Sequence, residues 1–226
     1  DYLTQLSNEH NILDIDKAEL DEEVFFAAAD HYFNQDCPKA IEALGTYLNQ
    51  FNPALHATEA NYYIAECHFA TGEIDKALEA YNFVISQPVN ELSEDALVAA
   101  ATIHYNQKNY TEALSNYREL EGVALKKNNL LEAEIGQMRC YWKMGQNEYA
   151  LDYANRVLNN ESTPEIIRDD ALLMRGKIRK ANGNVDDAYY DFAELAKKTS
   201  VKAAEAKYNM ALIAFDKAAY KPAERE

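Results

Sequence analysis

Few residues in this chain of 226 combine the types and the spacing that chemistry requires. His31, His68 and His104 recur at intervals of 37 and 36 residues, a row that invites a metal or acid/base reading. A metal held by histidine needs its ligands within about 2.0 Å of one point, and residues one repeat apart cannot converge that closely. These three are therefore expected to pack in the core. Cys67 precedes His68 directly, but neighbours on a helix point about 100° apart, so they make no nucleophile and base pair. Cys37, Cys67 and Cys140 show no C-x-x-C spacing, and three cysteines cannot all pair. Either two of them meet in space as a disulfide, or all three survive as small apolar fillers, so the redox compartment stays open. With no phosphate-binding loop, no G-x-S-x-G and no H-E-x-x-H, the chain reads as a non-enzyme, and no cofactor is called for. The remaining chemistry is cationic: Arg139, Lys143, Lys177 and Lys180 occur near Trp142 and could make charge-assisted hydrogen bonds beside an aromatic platform.

The elements that position these groups follow from a repeat. An alanine stands shortly after a turn signal at Ala40, Ala77, Ala113, Ala150 and Ala188, and a sixth, truncated copy has Ala223. Periods of 35 to 38 residues mean stacked helical hairpins. Twelve residues before each anchor stand Ala28, Ala65, Ala101, Met138, Gly176 and Ala211, mostly small, where two helices would approach most closely. Positions fifteen before (Phe25, Tyr62, Val98, Ile135, Leu173, Tyr208), three before and four after the anchors are largely apolar and read as core. Five before the anchors stand Gln35, Gly72, Lys108, Gly145, Gly183 and Ala218, the place for a left-handed helix end. Pro38 should open a second helix, and Ser162 with Glu165 spells a capping box. Residues 1–19 form a leader in which Asp16 and Glu19 could cap a lengthened first helix, and Tyr2, Leu3 and Leu6 could end a preceding unit. Residues 20–226 form the array.

With columns such as AEANYYIAECHFATGEIDKALEAY, the chain resembles the tetratricopeptide repeat family from about residue 20 onward. The resemblance implies an all-α, right-handed superhelical α-solenoid of five full repeats and a truncated sixth. It implies a concave groove lined by first helices, with groove-facing residues 18, 15, 11, 8 and 7 before each anchor. The inserts beyond the family's usual 34 residues, and the Tyr and Asn richness, are similar to bacterial envelope-associated members. That points to a periplasmic or outer-membrane-associated location. The chaperone-tail clamp of some members wants Lys and Asn in groove places where Phe25, Ala29, Tyr62, Glu66, Val98 and Thr102 stand, so that function is disfavoured.

The eight-before column reads Tyr32, Phe69, Tyr105, Trp142, Lys180 and Phe215. Those rings either receive a peptide or pack neighbouring first helices together. The eighteen-before column is acidic throughout (Glu22, Glu59, Asp95, Glu132, Asp170, Glu205), as the first turn of a helix favours by about 0.3–1 kcal/mol. Net charge is −16, which disfavours nucleic acid, and it is lopsided: residues 1–113 carry 20 acids and 4 bases, residues 114–226 carry 18 of each. Arg179 and Lys180 replace rings, with Arg175 close by. No apolar run is long enough to span a bilayer. The expected function is a protein-protein interaction scaffold, part of a longer protein, whose groove at repeats four and five takes an anionic peptide. The alternative is a structural or assembly component of a cell-envelope complex that uses edges and convex face. Tyr208, Leu212 and Phe215 should form an apolar edge that another chain covers, favouring self-association.

Overall fold

The computed structural model describes the backbone of residues 12–220 and the side chains of residues 17–218. Among these residues there are eleven α-helices and no strand: α1 (Ile12–Phe33), α2 (Cys37–Gln50), α3 (Ala57–Ala70), α4 (Ile74–Ser86), α5 (Ser93–Asn106), α6 (Tyr110–Val123), α7 (Lys127–Lys143), α8 (Asn147–Asn159), α9 (Glu165–Ala181), α10 (Val185–Ala196) and α11 (Val201–Tyr220). The all-α class is the one the repeat predicts. The chain divides into two compact units, residues 1–103 and 104–226, the division falling within α5. In unit 1, α1 packs on α2, α2 on α3 and α3 on α4, and the first helices α1 and α3 also touch. In unit 2 the same succession runs from α6 through α11, with α9 also touching α11.

Small residues at fixed places make this stacking close. Ala40, Ala77, Ala113, Ala150 and Ala188 are fully buried, and so are Leu44, Tyr81, Ala154 and Phe192 four residues later. Twelve before the anchors, Ala28, Ala65, Ala101 and Met138 are buried. At Gly176 a Cβ would come within 2.6 Å of the Phe192 ring, and at Gly136 a Cβ would collide with Tyr117. Glycine there sets how closely helices approach. The column three before the anchors is only half-buried, at Cys37, Ile74, Tyr110, Asn147 and Val185. It flanks the core at the first turn of each second helix.

The five hairpin turns share one geometry. Gln35, Gly72, Lys108, Gly145 and Gly183 all take positive φ, between 61° and 82°. In each turn the following N–H donates to the carbonyl five residues back, as Asp36 to His31, Glu73 to His68, Asn109 to His104, Gln146 to Tyr141 and Asn184 to Arg179. Orphan carbonyls at the helix end are thereby satisfied. Gln35 and Lys108 adopt the left-handed conformation without glycine's freedom, at a cost of about 1 kcal/mol each.

Several expectations differ from the structure. α11 continues through Ala218 to Tyr220, with no turn there, because alanine is the best helix former and has no left-handed preference. Ala223 and Glu226 lie outside the described residues, as do Tyr2, Leu3 and Leu6. Tyr208 and Phe215 are exposed, as the edge argument expects, while Leu212 is half-buried. Asp16 and Glu19 lie inside α1, which begins at Ile12 and crosses the boundary drawn at residue 19. The capping box does not form. α9 starts at Glu165 after Pro164, the Ser162 N–H donates to Asn160 Oδ1, and Glu165 pairs with Lys198. Pro38 does sit in the first turn of α2, whose N-cap Asp36 accepts from the Lys39 N–H at 3.4 Å.

The open question of the cysteines is resolved by geometry. Cys37, at the start of α2, is disulfide-bonded to Cys67 on α3, with Cα atoms 5.0 Å apart, and Cys140 is free and buried. Burial pushes the Cys140 thiol up to about 12. At the end of the α1–α2 pair opposite their turn, the buried Asp21 accepts from the Tyr47 hydroxyl at 2.5 Å and the Leu55 N–H at 3.2 Å, while the same hydroxyl accepts from the His56 N–H at 2.9 Å. This network ties the α2–α3 loop to α1.

Candidate functional site

Helix periodicity places residues 11 and 8 before each anchor on one face of every first helix, and in unit 2 that face carries a cleft. Its walls are Tyr105 from α5, Arg139, Trp142 and Lys143 from α7, and Asp170, Leu173, Met174 and Lys177 from α9, enclosing about 210 Å³. Five of the eight residues singled out in the sequence therefore share one depression. Lys180 lies outside it, with Nζ 3.5 Å from Asn209 Oδ1 on α11. Tyr32 and Phe69 belong to unit 1.

The electrostatics of the cleft are more nearly neutral than the sequence suggests. Arg139 pairs with Asp170 at 3.6 Å, and Lys177 with Glu205 at 2.5 Å. Asp170 also pairs with Lys202. The Arg139–Asp170 and Lys177–Glu205 contacts follow one register: the residue 11 before an anchor meets the acid 18 before the next anchor. The acidic column thus supplies counter-ions to the cationic one. These pairs are partly exposed, so each contributes at most about 1 kcal/mol and can exchange partners. Burial raises the Tyr105 phenol above its usual range, and the Arg139 charge opposes this. The ring and guanidinium therefore form the half-dry end of the cleft.

Arg175 and Arg179 have a structural role. Both guanidiniums bond the buried Asp191, Arg175 at 2.6 Å and Arg179 at 2.8 Å, and Arg175 also donates to Asn155 Oδ1. The charge of Arg179, which stands where other repeats have a ring, and that of Arg175 are here compensated by an aspartate three residues after the anchor. A second polar knot centres on Glu121, which accepts from Gln137, Tyr153 and Arg156 at 2.5, 2.8 and 2.8 Å. Burial works against its charge, but these donors and the Arg156 charge hold its carboxyl below the usual range. Sequence reasoning missed Asp191 and Glu121 because each pairs across 12 or more residues, between helices.

In unit 1 the corresponding face is aromatic. The Tyr32 and Tyr63 rings stack at 4.3 Å, Phe33 meets Tyr63 edge-on at 5.5 Å, and Tyr62 meets Tyr81 edge-on at 6.1 Å. The Tyr81 hydroxyl donates to Glu66. Packing between first helices thus uses Tyr32, whereas Phe69 is 47% exposed and Phe33 62%. His68 is buried and bonded to Glu73 at 2.6 Å through Nδ1; His31 and His104 are half-buried. Among the described residues, no group of three or more His, Cys, Asp or Glu is placed to hold a metal ion. Nor is any described helix long and apolar enough to cross a membrane.

No curated protein matches this chain. Among solved structures it is similar to the P58(IPK) TPR domain, at 14% identity over 96% of this chain and 71% of that one, with a TM-score of 0.41. It is also similar to a tetratricopeptide repeat protein from Parabacteroides merdae, at 18% identity over 85% of this chain and 98% of that one, with a TM-score of 0.29. Residues 27–88, which span the α1–α2 turn through α4, match the family model described as tetratricopeptide repeat.

Proposed function

We propose that this chain is a non-enzymatic interaction scaffold that holds a peptide segment of a partner protein against its first helices, with the unit 2 cleft as the principal seat. The observation that carries this reading is the cleft beside Trp142, where Arg139, Lys143 and Lys177 line one side and Leu173 and Met174 supply apolar wall. Such a site suits a partner side chain or terminus that ends in a carboxylate and is preceded by an apolar or aromatic residue. The carboxylate engages Lys143 and displaces Asp170 or Glu205 from its cation. Because one ion pair is exchanged for another, the expected affinity is modest and falls with salt. The Cys37–Cys67 disulfide supports residence in an oxidising compartment, such as a bacterial periplasm or cell surface.

The test is a peptide array probed with the whole chain and with a Lys143→Glu, Lys177→Glu variant. Peptides bearing acidic or C-terminal carboxylates should bind the parent and lose at least about tenfold on the variant, the equivalent of 1.4 kcal/mol. Identical array patterns for the two proteins would overturn the reading. A second reading, assembly within an envelope complex through the second helices, is favoured by the exposed Tyr149 on α8 and Tyr190 on α10. Retained partner capture by the cleft variant, with loss in Tyr149→Ser, Tyr190→Ser, would select it.

A further inference from the structure

The pairing register of unit 2 exposes what unit 1 lacks. On α7 and α9, the residue 11 before the anchor is a cation that neutralises the acid 18 before the next anchor, as Arg139 does for Asp170 and Lys177 for Glu205. In unit 1 the same places on α1 and α3 hold Ala29, which is buried, and Glu66, so among the described residues no Arg or Lys pairs with Glu59, and a carboxylate stands where the register puts a cation. The nearest base to Glu59 is His56, at 3.7 Å. Residues 1–103 carry 19 Asp and Glu against three Lys and no Arg. Of those lysines, Lys39 pairs with Asp36 and Lys76 with Glu73, each at the first turn of a second helix.

The same face presents rings in positions suited to the stem of a long cationic side chain. On α3, Tyr62 and Phe69 alternate with Glu59 and with Glu66, whose carboxylate also accepts the Tyr81 hydroxyl, and the adjacent α1 adds Glu22, Tyr32 and Phe33. Beside Glu59 and Tyr63 a depression of about 450 Å³ opens, with Leu55, Leu92 and a second carboxylate, Glu91, in its walls. A carboxylate next to an aromatic face attracts guanidinium and ammonium groups through both charge and ring quadrupole.

We propose that the first-helix face of unit 1 is a docking surface for a basic, extended segment of a partner protein, whose Arg or Lys side chains supply the cations that this half of the repeat register lacks. The guanidinium or ammonium groups sit beside Glu59 and Glu66, and their stems lie on Tyr62 and Phe69. The surface shares no residue with the unit 2 cleft and takes the opposite charge, so the two readings stand or fall independently.

The test uses the whole chain and a short labelled peptide alternating Arg and Ala, followed by fluorescence anisotropy at low and high salt. The Arg peptide should bind at low salt and its Glu-for-Arg counterpart should not. Glu22→Gln, Glu59→Gln, Glu66→Gln should weaken binding by roughly tenfold, the scale of a few exposed ion pairs. Lys207→Gln, at an exposed lysine on α11 in the other unit, should leave the affinity within about twofold. Failure of the Arg peptide to bind, equal binding of the Glu peptide, or unchanged affinity in the triple Glu→Gln variant would overturn the proposal.

Discussion

Backbone conformation at single residues decides where this chain turns. Lys108 holds φ of 66° with a full side chain, in the place where three other turns have glycine. Lys108→Gly is expected to raise stability by up to about 1 kcal/mol, because it removes the left-handed cost at an exposed site with no packing to lose. Gly176→Ala should do the reverse. Its gain in helix propensity, about 1 kcal/mol, is outweighed by the Phe192 ring 2.6 Å from the new Cβ, and a net loss of about 1–3 kcal/mol is expected. Urea denaturation of both variants beside the parent checks the two signs at once. The glycine turns were legible in the sequence through residue type alone. Gln35 and Lys108 were legible only through register, and Ala218 shows that register without a suitable residue does not stop a helix.

Between elements, the strongest single constraint is the bond from α2 to α3. It closes a loop with a sequence separation of 30, for which the chain-entropy argument gives roughly 3–4 kcal/mol. Reduction, or Cys37→Ser with Cys67→Ser, should lower the melting temperature, with hydrogen exchange rising in α2 and α3 before it rises in α8–α10. Thiol titration provides the check on the covalent state. The folded chain should show almost no reactive thiol, since Cys140 is buried with its pKa pushed up to about 12, and denaturation without reductant should reveal one. Three thiols on denaturation would mean that the bond is absent. Helix boundaries and the buried alanine columns could be read from periodicity, because burial of one face imposes a pattern on sequence. The disulfide could not, since cysteines 30 residues apart carry no pairing signal of their own. The ion pairs between first helices lay in plain sight as two columns, yet only the stacking distance shows that eleven-before meets the next eighteen-before.

For the molecule as a whole, charge is divided as unevenly as the sequence indicates, and the two halves should answer salt differently. Unit 1 repels itself, whereas α9–α11 are laced by Lys177–Glu205, Lys202–Asp170 and Lys198–Asp169. Raising salt from low to physiological levels should increase hydrogen-exchange protection within residues 17–103 and leave it unchanged or reduced within α9–α11. Uniform change along the chain would show that charge pattern does not govern local stability here. The place of the cleft on the first-helix face of unit 2 was legible from the repeat. Its sign was not, because formal charges on neighbouring helices cancel in space and not in sequence. The crosslink between Cys37 and Cys67 also has a mechanical meaning. A chain pulled from its two ends cannot extend the segment between them, which hides about 100 Å of contour length at roughly 3.4 Å per residue. Under tension the α2–α3 segment would thus yield a short lengthening step when oxidised and a longer one when reduced, making the protein's extensibility depend on the redox state of its surroundings.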